Sequence, residues 1–124
     1  MVIVLVYWKI KKGCEEAFKT HWRSGLPVND RSGLIGEFLS QPTGHEKYNW
    51  ITWDLRGAKD YTSFINVTTW SNAEEFHNQI GKYFKPEKEK DDFEFEIRTR
   101  ALLTPECWRM GESMLPVHDS GGVL

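Results

Sequence analysis

Cysteine is scarce. Only Cys14 and Cys107 occur in 124 residues, with no CxxC pair and no histidine at ligand spacing beside either, which excludes a zinc ribbon and fits two ordinary thiols in a reducing compartment. Charge of one sign is equally lacking: 16 Lys+Arg stand against 18 Asp+Glu, a formal net charge of -2, interleaved along the chain. Phosphate backbones require a cationic face, so nucleic acid is not an expected partner. No long apolar run is present either. The N-terminal VIVLVYW lacks a basic leader and stops at Lys9, far short of the roughly 20 residues that span a bilayer. The expectation is a soluble, cytoplasmic protein with no membrane partner. The chain has no P-loop, Gly-rich dinucleotide loop, nucleophile elbow or HExxH, so no cofactor and no metal is expected from motifs.

Aromatic side chains, by contrast, are abundant: six Trp, four Tyr and seven Phe make 14% of the chain. Such groups fill a core, wall a pocket for a flat ligand or cement an interface. The length suits one domain, in which a substrate-sized cavity strains a lone chain and a second subunit helps to enclose it.

The clearest stretch is Tyr61 to Phe84. Tyr61 to Trp70 is rich in β-branched and aromatic residues without Gly or Pro, the mark of a central strand. Ser71 and Glu74 then have capping-box spacing, and Ala73, Phe76, His77, Ile80 and Phe84 form one helical stripe. Upstream, the continuous apolar run Val2 to Ile10 predicts a strand covered on both faces. A helix follows from Cys14, with Cys14, Ala17, Phe18, His21, Trp22 and Gly25 on one face, ending near Ser24 at Gly25 and Pro27.

Leu34 to Gln41 predicts an edge strand. Tyr48 to Leu55 is strand-like, and the RGAKD turn would fold it against Tyr61 to Trp70 as an extra hairpin. Lys85 to Asp92 alternates in sign and predicts a solvated loop. Phe93 to Leu103 alternates, with Phe93, Phe95 and Ile97 on a dry side and Glu94, Glu96 and Arg98 on a wet one. Residues 105–124 form a tail carrying Trp108, Met110, Met114 and Leu115, suited to docking on a partner chain.

The order strand, helix, strand, strand, helix, strand over residues 1–104 predicts an α+β, ferredoxin-like βαββαβ domain: an antiparallel sheet with two helices on one face, the first and third core strands in its middle, and an extra hairpin inserted before the third. The segments KIKKG, RSGLIGEFL and TTWSNAEEF resemble the dimeric α+β barrel superfamily, in particular its antibiotic biosynthesis monooxygenase-like branch. That resemblance implies a homodimer with two sheets packed face to face and a cavity in each subunit. The region from His45 to Asp60 looks inserted relative to the family. The haem-degrading branch uses an Asn on the first strand and a Trp and a His in and after the second helix. This chain offers Val6, Gln79 and Glu89 there, which disfavours haem degradation. The family's quinone-forming monooxygenases need neither flavin nor metal.

His21 and His77 lie on their predicted apolar stripes, where a histidine serves as a packed structural group, as an acid–base group or, lacking a third ligand, least readily as a metal ligand. Asn66 shares a strand face with Phe64, Thr68 and Trp70; its amide either pairs with a neighbouring strand or orients a ligand oxygen. Arg98 is part of a solvated charge ladder or a partner for a phenolate, and Glu37 has the same ambiguity. Tyr7, Trp22, Trp50, Trp53 and Trp70, with His21, are candidate walls of a pocket for a small aromatic ligand, and Trp50 and Trp53 equally suit a subunit seam.

The expectation is therefore a cofactor-independent monooxygenase acting on an aromatic or polyketide-like substrate, with His77, Asn66 and Arg98 as catalytic groups. The alternatives are a non-catalytic ligand-binding or sensing module and, behind it, a haem-binding protein.

Overall fold

The computed structural model describes residues 1–25, 30–44, 46–56, 59–84, 90–109 and 111. The elements run β1 (Val2–Lys11), α1 (Glu15–Ser24), β2 (Leu34–Ser40), β3 (Tyr61–Trp70), α2 (Ala73–Gln79), a single 3-10 turn (Gly81–Tyr83) and β4 (Glu94–Leu103). The four strands form one sheet in the order β2-β3-β1-β4, antiparallel throughout. This is the expected ferredoxin-like α+β fold, with the first and third strands in the middle.

Register decides which side chains meet the helices. Val2 pairs with Trp70, Val4 with Thr68, Val6 with Asn66 and Trp8 with Phe64. All eight side chains share one face because alternate residues point the same way. Phe18 of α1 and Ile80 beyond α2 pack on that face. The opposite face, with Ile3, Leu5, Ile65, Val67 and Phe38, carries no helix among the described residues. Phe38 is 59% exposed there.

Four expectations need correction. The α2 cap is Asn72, whose Oδ1 accepts from the Glu75 backbone N–H at 2.8 Å, in place of Ser71. Ser71 is engaged elsewhere: its N–H and hydroxyl both donate to the Gly33 carbonyl, at 2.9 and 3.2 Å. Docking through Phe76, Gln79 and Ile80 leaves Ala73 and His77 in solvent. On α1, likewise, Phe18 is fully buried, Cys14 and Trp22 are half-buried, and Ala17 and His21 are exposed.

The inserted hairpin does not form: residues 46–56 contain no strand. β3 has β1 on one side and, from Ile65 to Trp70, β2 on the other, so most of its length offers no free edge. Arg56 gathers the segment into a loop through Glu46 and Asp54, both at 2.6 Å. On β4 the wet side is partly dry. Register shifts opposite Tyr7, Lys9 and Ile10 bring Glu94 to zero exposure, because a bulge re-aims the side chains beside it. His45 and residues 85–89, with Glu89, lie outside the described residues, as do Met110, Met114 and Leu115 of the tail.

Gln79 clasps the chain entering β2. Its Oε1 accepts from the Gly33 N–H at 3.0 Å and its Nε2 donates to Ser32 Oγ at 3.1 Å. A Cβ at Gly33 would run into the Glu75 side chain, so glycine is what lets α2 sit this close. Gln79→Ala strands a buried N–H, and chemical denaturation should register a loss of about 1–3 kcal/mol.

The core comes in two parts. Val2, Val4, Trp70 and Ile80, with Leu34, Phe76 and Phe84, make one cluster. Ile10, Phe18 and Phe64, with Trp8, Cys14, Leu39 and Phe93, make the other.

Candidate functional site

Between the two clusters, on the helix-facing side of the sheet, runs a row of four side chains fixed by register. Leu39 of β2 stands opposite Asn66 of β3, Asn66 opposite Val6 of β1, and Val6 opposite Arg100 of β4. An amide and a guanidinium thus flank one valine. The neighbouring row places Glu37 opposite Thr68 and Thr68 opposite Val4. The Thr68 hydroxyl is satisfied by the Val4 carbonyl at 3.3 Å.

Three polar atoms on this face of the sheet are buried without a hydrogen-bond partner among the described residues: Asn66 Oδ1 in the row itself, Trp8 Nε1 one row away against one cluster and Trp70 Nε1 two rows away in the other. Such atoms are rare in folded proteins and call for an occupant. Glu37 lies diagonally across the β2–β3 pair from Asn66 on the same face, and its side chain is exposed. Desolvation raises the Glu37 pKa, opposed by the charge of Arg31 and by the Asn66 side chain. Arg100 lies over the Phe84 ring, 4.0 Å from its centroid, and desolvation lowers its pKa from the usual guanidinium value. A cation at one end of the row and a carboxyl near the other suit a flat ligand with an ionisable oxygen.

No family model and no curated protein sequence matches this chain. Among solved structures it is similar to an arginine-to-serine mutant of MhuD with two manganese protoporphyrin IX bound per active site, at a TM-score of 0.54 and 14% identity, over 90% of this chain and 100% of that one. The likeness is one of fold.

The residues singled out from sequence are dispersed over this fold. Asn66 lies in the central row, and Trp70, two rows away on the same face, is a buried member of one cluster. Trp22 is half-buried on α1. Arg98, 17% exposed, spends its guanidinium on Glu94 at 2.7 Å and on the Trp8 ring at 4.9 Å, with Asp91 at 3.9 Å. His77 is exposed on α2, and His21 is exposed on α1 with its ring 5.0 Å from that of Phe93. Tyr7 points to the opposite sheet face, where its hydroxyl meets Ser63 Oγ at 2.8 Å. Trp50 and Trp53 stand 72% and 78% exposed in the inserted loop.

The structure thus brings Asn66 together with Glu37, and sets Arg100 across Val6 from it. Neither neighbour could be paired with Asn66 from sequence alone, because strand spacing is legible within a strand and register between strands is not. Among the described residues no cluster of three His, Cys, Asp or Glu side chains could hold a metal, and no helix is long and apolar enough to cross a membrane. A separate open cleft of about 320 Å³ lies at the end of the sheet, lined by Lys12, Gln41, Pro42, Arg56, Tyr61, Thr62 and Ser63. Its cations are engaged, Lys12 with the Thr62 hydroxyl at 3.0 Å and Arg56 with Asp54 and Glu46.

Proposed function

We propose that this protein binds a flat aromatic molecule with an acidic hydroxyl between its sheet and its helices and oxygenates it without a bound cofactor, as a homodimer whose second subunit covers the open sheet face. The observation that carries this reading is the set of three buried, unpartnered polar atoms on the helix-facing side of the sheet, Asn66 Oδ1 between the two core clusters, the Trp70 indole N–H in one of them and the Trp8 indole N–H against the other. Each such atom costs about 1–3 kcal/mol when left unsatisfied. A ligand with hydroxyl and carbonyl oxygens recovers that cost.

Aromatic walls suit a flat body, and Arg100 suits the negative charge of an enolate or phenolate. Such an anion reacts with O₂ itself. An activated ring CH₂ becomes a ring carbonyl, one oxygen atom stays on the substrate and the other leaves as water. The protein's part is to bind, to hold the anion and to keep bulk water away. The fold shared with MhuD, which holds two manganese porphyrins per active site, supports room for a flat ligand in this architecture.

The test is oxygen uptake with dithranol, a dihydroxyanthrone, alongside tryptophan quenching as the binding signal. Asn66→Leu should bind at least tenfold more weakly, about 1.4 kcal/mol, while folding as stably as the wild type or more so, because a buried unpartnered oxygen has been removed. Quenching without oxygen uptake would mark a binding or sensing module. A Soret band on adding haemin, with no response to dithranol, would replace both with a haem protein.

A further inference from the structure

We infer that the open cleft at the end of the sheet is a second ligand site, which takes one uncharged sugar ring. It shares no residue with the aromatic site proposed above and does not depend on it. The cleft has a volume of about 320 Å³, at the small end of the range for small-molecule sites, which suits one six-membered ring.

Charge decides the class of ligand. Two cations line the cleft, Lys12 and Arg56, and among the described residues no carboxylate does. Each cation is already matched by acids outside the lining. Arg56 donates through Nε and Nη2 to Asp54 and through Nη1 to Glu46, at distances between 2.6 and 3.0 Å. Lys12 donates to the Thr62 hydroxyl at 3.0 Å, and that hydroxyl donates onward to the Glu15 carboxylate at 3.0 Å. An anionic ligand therefore meets cations whose fields are offset by nearby carboxylates. A cationic ligand meets two like charges and no acid. An uncharged ligand avoids both penalties.

What the wall offers is hydrogen-bond donors. Ser63 is 3% exposed, and its hydroxyl meets that of Tyr7 at 2.8 Å. Two hydroxyls carry two hydrogens, and a single bond between them uses one. The phenol is the stronger acid and the better donor, so Tyr7 gives its hydrogen. Ser63, on the wall of the cleft, keeps one with no acceptor among the described residues. A buried donor of this kind calls for an acceptor oxygen. The Lys12 ammonium has further hydrogens beyond the one on Thr62, and the exposed Gln41 amide both donates and accepts. Pro42 and Tyr61 complete the lining and give C–H groups a small apolar surface. Donors set around one small apolar patch fit a ring with oxygens along its rim and C–H groups on its face, which is a sugar.

The experiment titrates the full chain, by saturation-transfer nuclear magnetic resonance, with the methyl glycosides of glucose, galactose and mannose, each beside its uronate and its 2-amino-2-deoxy counterpart. At least one neutral glycoside should bind with a millimolar Kd that is unchanged by added sodium chloride. It should bind about fivefold or more tightly than either charged counterpart, and Ser63→Ala and Gln41→Ala should each weaken it about threefold or more. Gln41 is exposed, so its variant keeps the test in force if Ser63→Ala fails to fold. Failure of all three neutral glycosides to bind at tens of millimolar overturns the inference. A uronate that binds most tightly, with an affinity that falls as salt is added, replaces it with an anion site. Neutral binding undiminished in both variants places the sugar elsewhere and overturns it too. Each of these failures leaves the aromatic site standing.

Discussion

Arg98→Met is expected to destabilise the protein by about 3–5 kcal/mol, the usual cost of removing one partner from a buried ion pair. Glu94 has no solvent exposure. Its carboxylate accepts from Arg98 Nη1 at 2.7 Å, from the Arg98 backbone N–H at 3.1 Å and from the Asp91 backbone N–H at 2.8 Å. Removing the guanidinium leaves the carboxylate with two backbone donors and no counter-charge, and it also strips a cation from the face of Trp8. The double variant Glu94→Gln/Arg98→Met removes both charges, and urea denaturation should place it closer to the wild type than Arg98→Met alone. The comparison also separates two roles for Arg98. An Arg98→Met protein that is as stable as the wild type yet inactive would show an arginine acting on the ligand.

Phe18→Ala should cost a similar amount, about 3–5 kcal/mol. Its ring is fully buried and lies 4.9 Å from Trp8, 5.0 Å from Phe64 and 5.5 Å from Phe93 between ring centroids. α1 is only ten residues long and Phe18 is its single buried residue, so the helix is held to the sheet chiefly by this one anchor. The division of the core makes a sharper forecast. Phe18 belongs to one cluster and Ile80 to the other, with no packed neighbour in common. Phe18→Ala and Ile80→Val should therefore add to within about 0.5 kcal/mol. Strong coupling between them would mean one continuous core and no room for a ligand between its halves.

The fold could be read from the chain because its signals are local. The unbroken run from Val2 to Ile10, the change of period after Trp70 and the Gly25 stop each announce one element without reference to another. Errors arose where a residue answers to a distant partner. Ser71 has the spacing of a cap but serves the Gly33 carbonyl, 38 residues away in sequence. Glu94 alternates as a wet residue should, and a bulge against β1 turns it into the core. The segment 46–56 has strand composition, while β2 already occupies the edge of β3 that it would pair with. The site follows the same rule. Asn66 could be picked out as a polar residue on a buried face, whereas Glu37 and Arg100 become its companions only through the register of three strand pairs. Gln79, by its clasp on Gly33, has a structural task that no single-sequence pattern discloses.

The central claim is that the band between the two clusters is a ligand site, and its most direct test is a crystal structure of the protein grown with dithranol. The account predicts the anthrone lying over Val6 with an oxygen-bound hydrogen within hydrogen-bond distance of Asn66 Oδ1. It is contradicted if the two clusters close over Val6 with the ligand elsewhere, or if ordered water alone meets Asn66 Oδ1 and the Trp8 and Trp70 indole N–H groups.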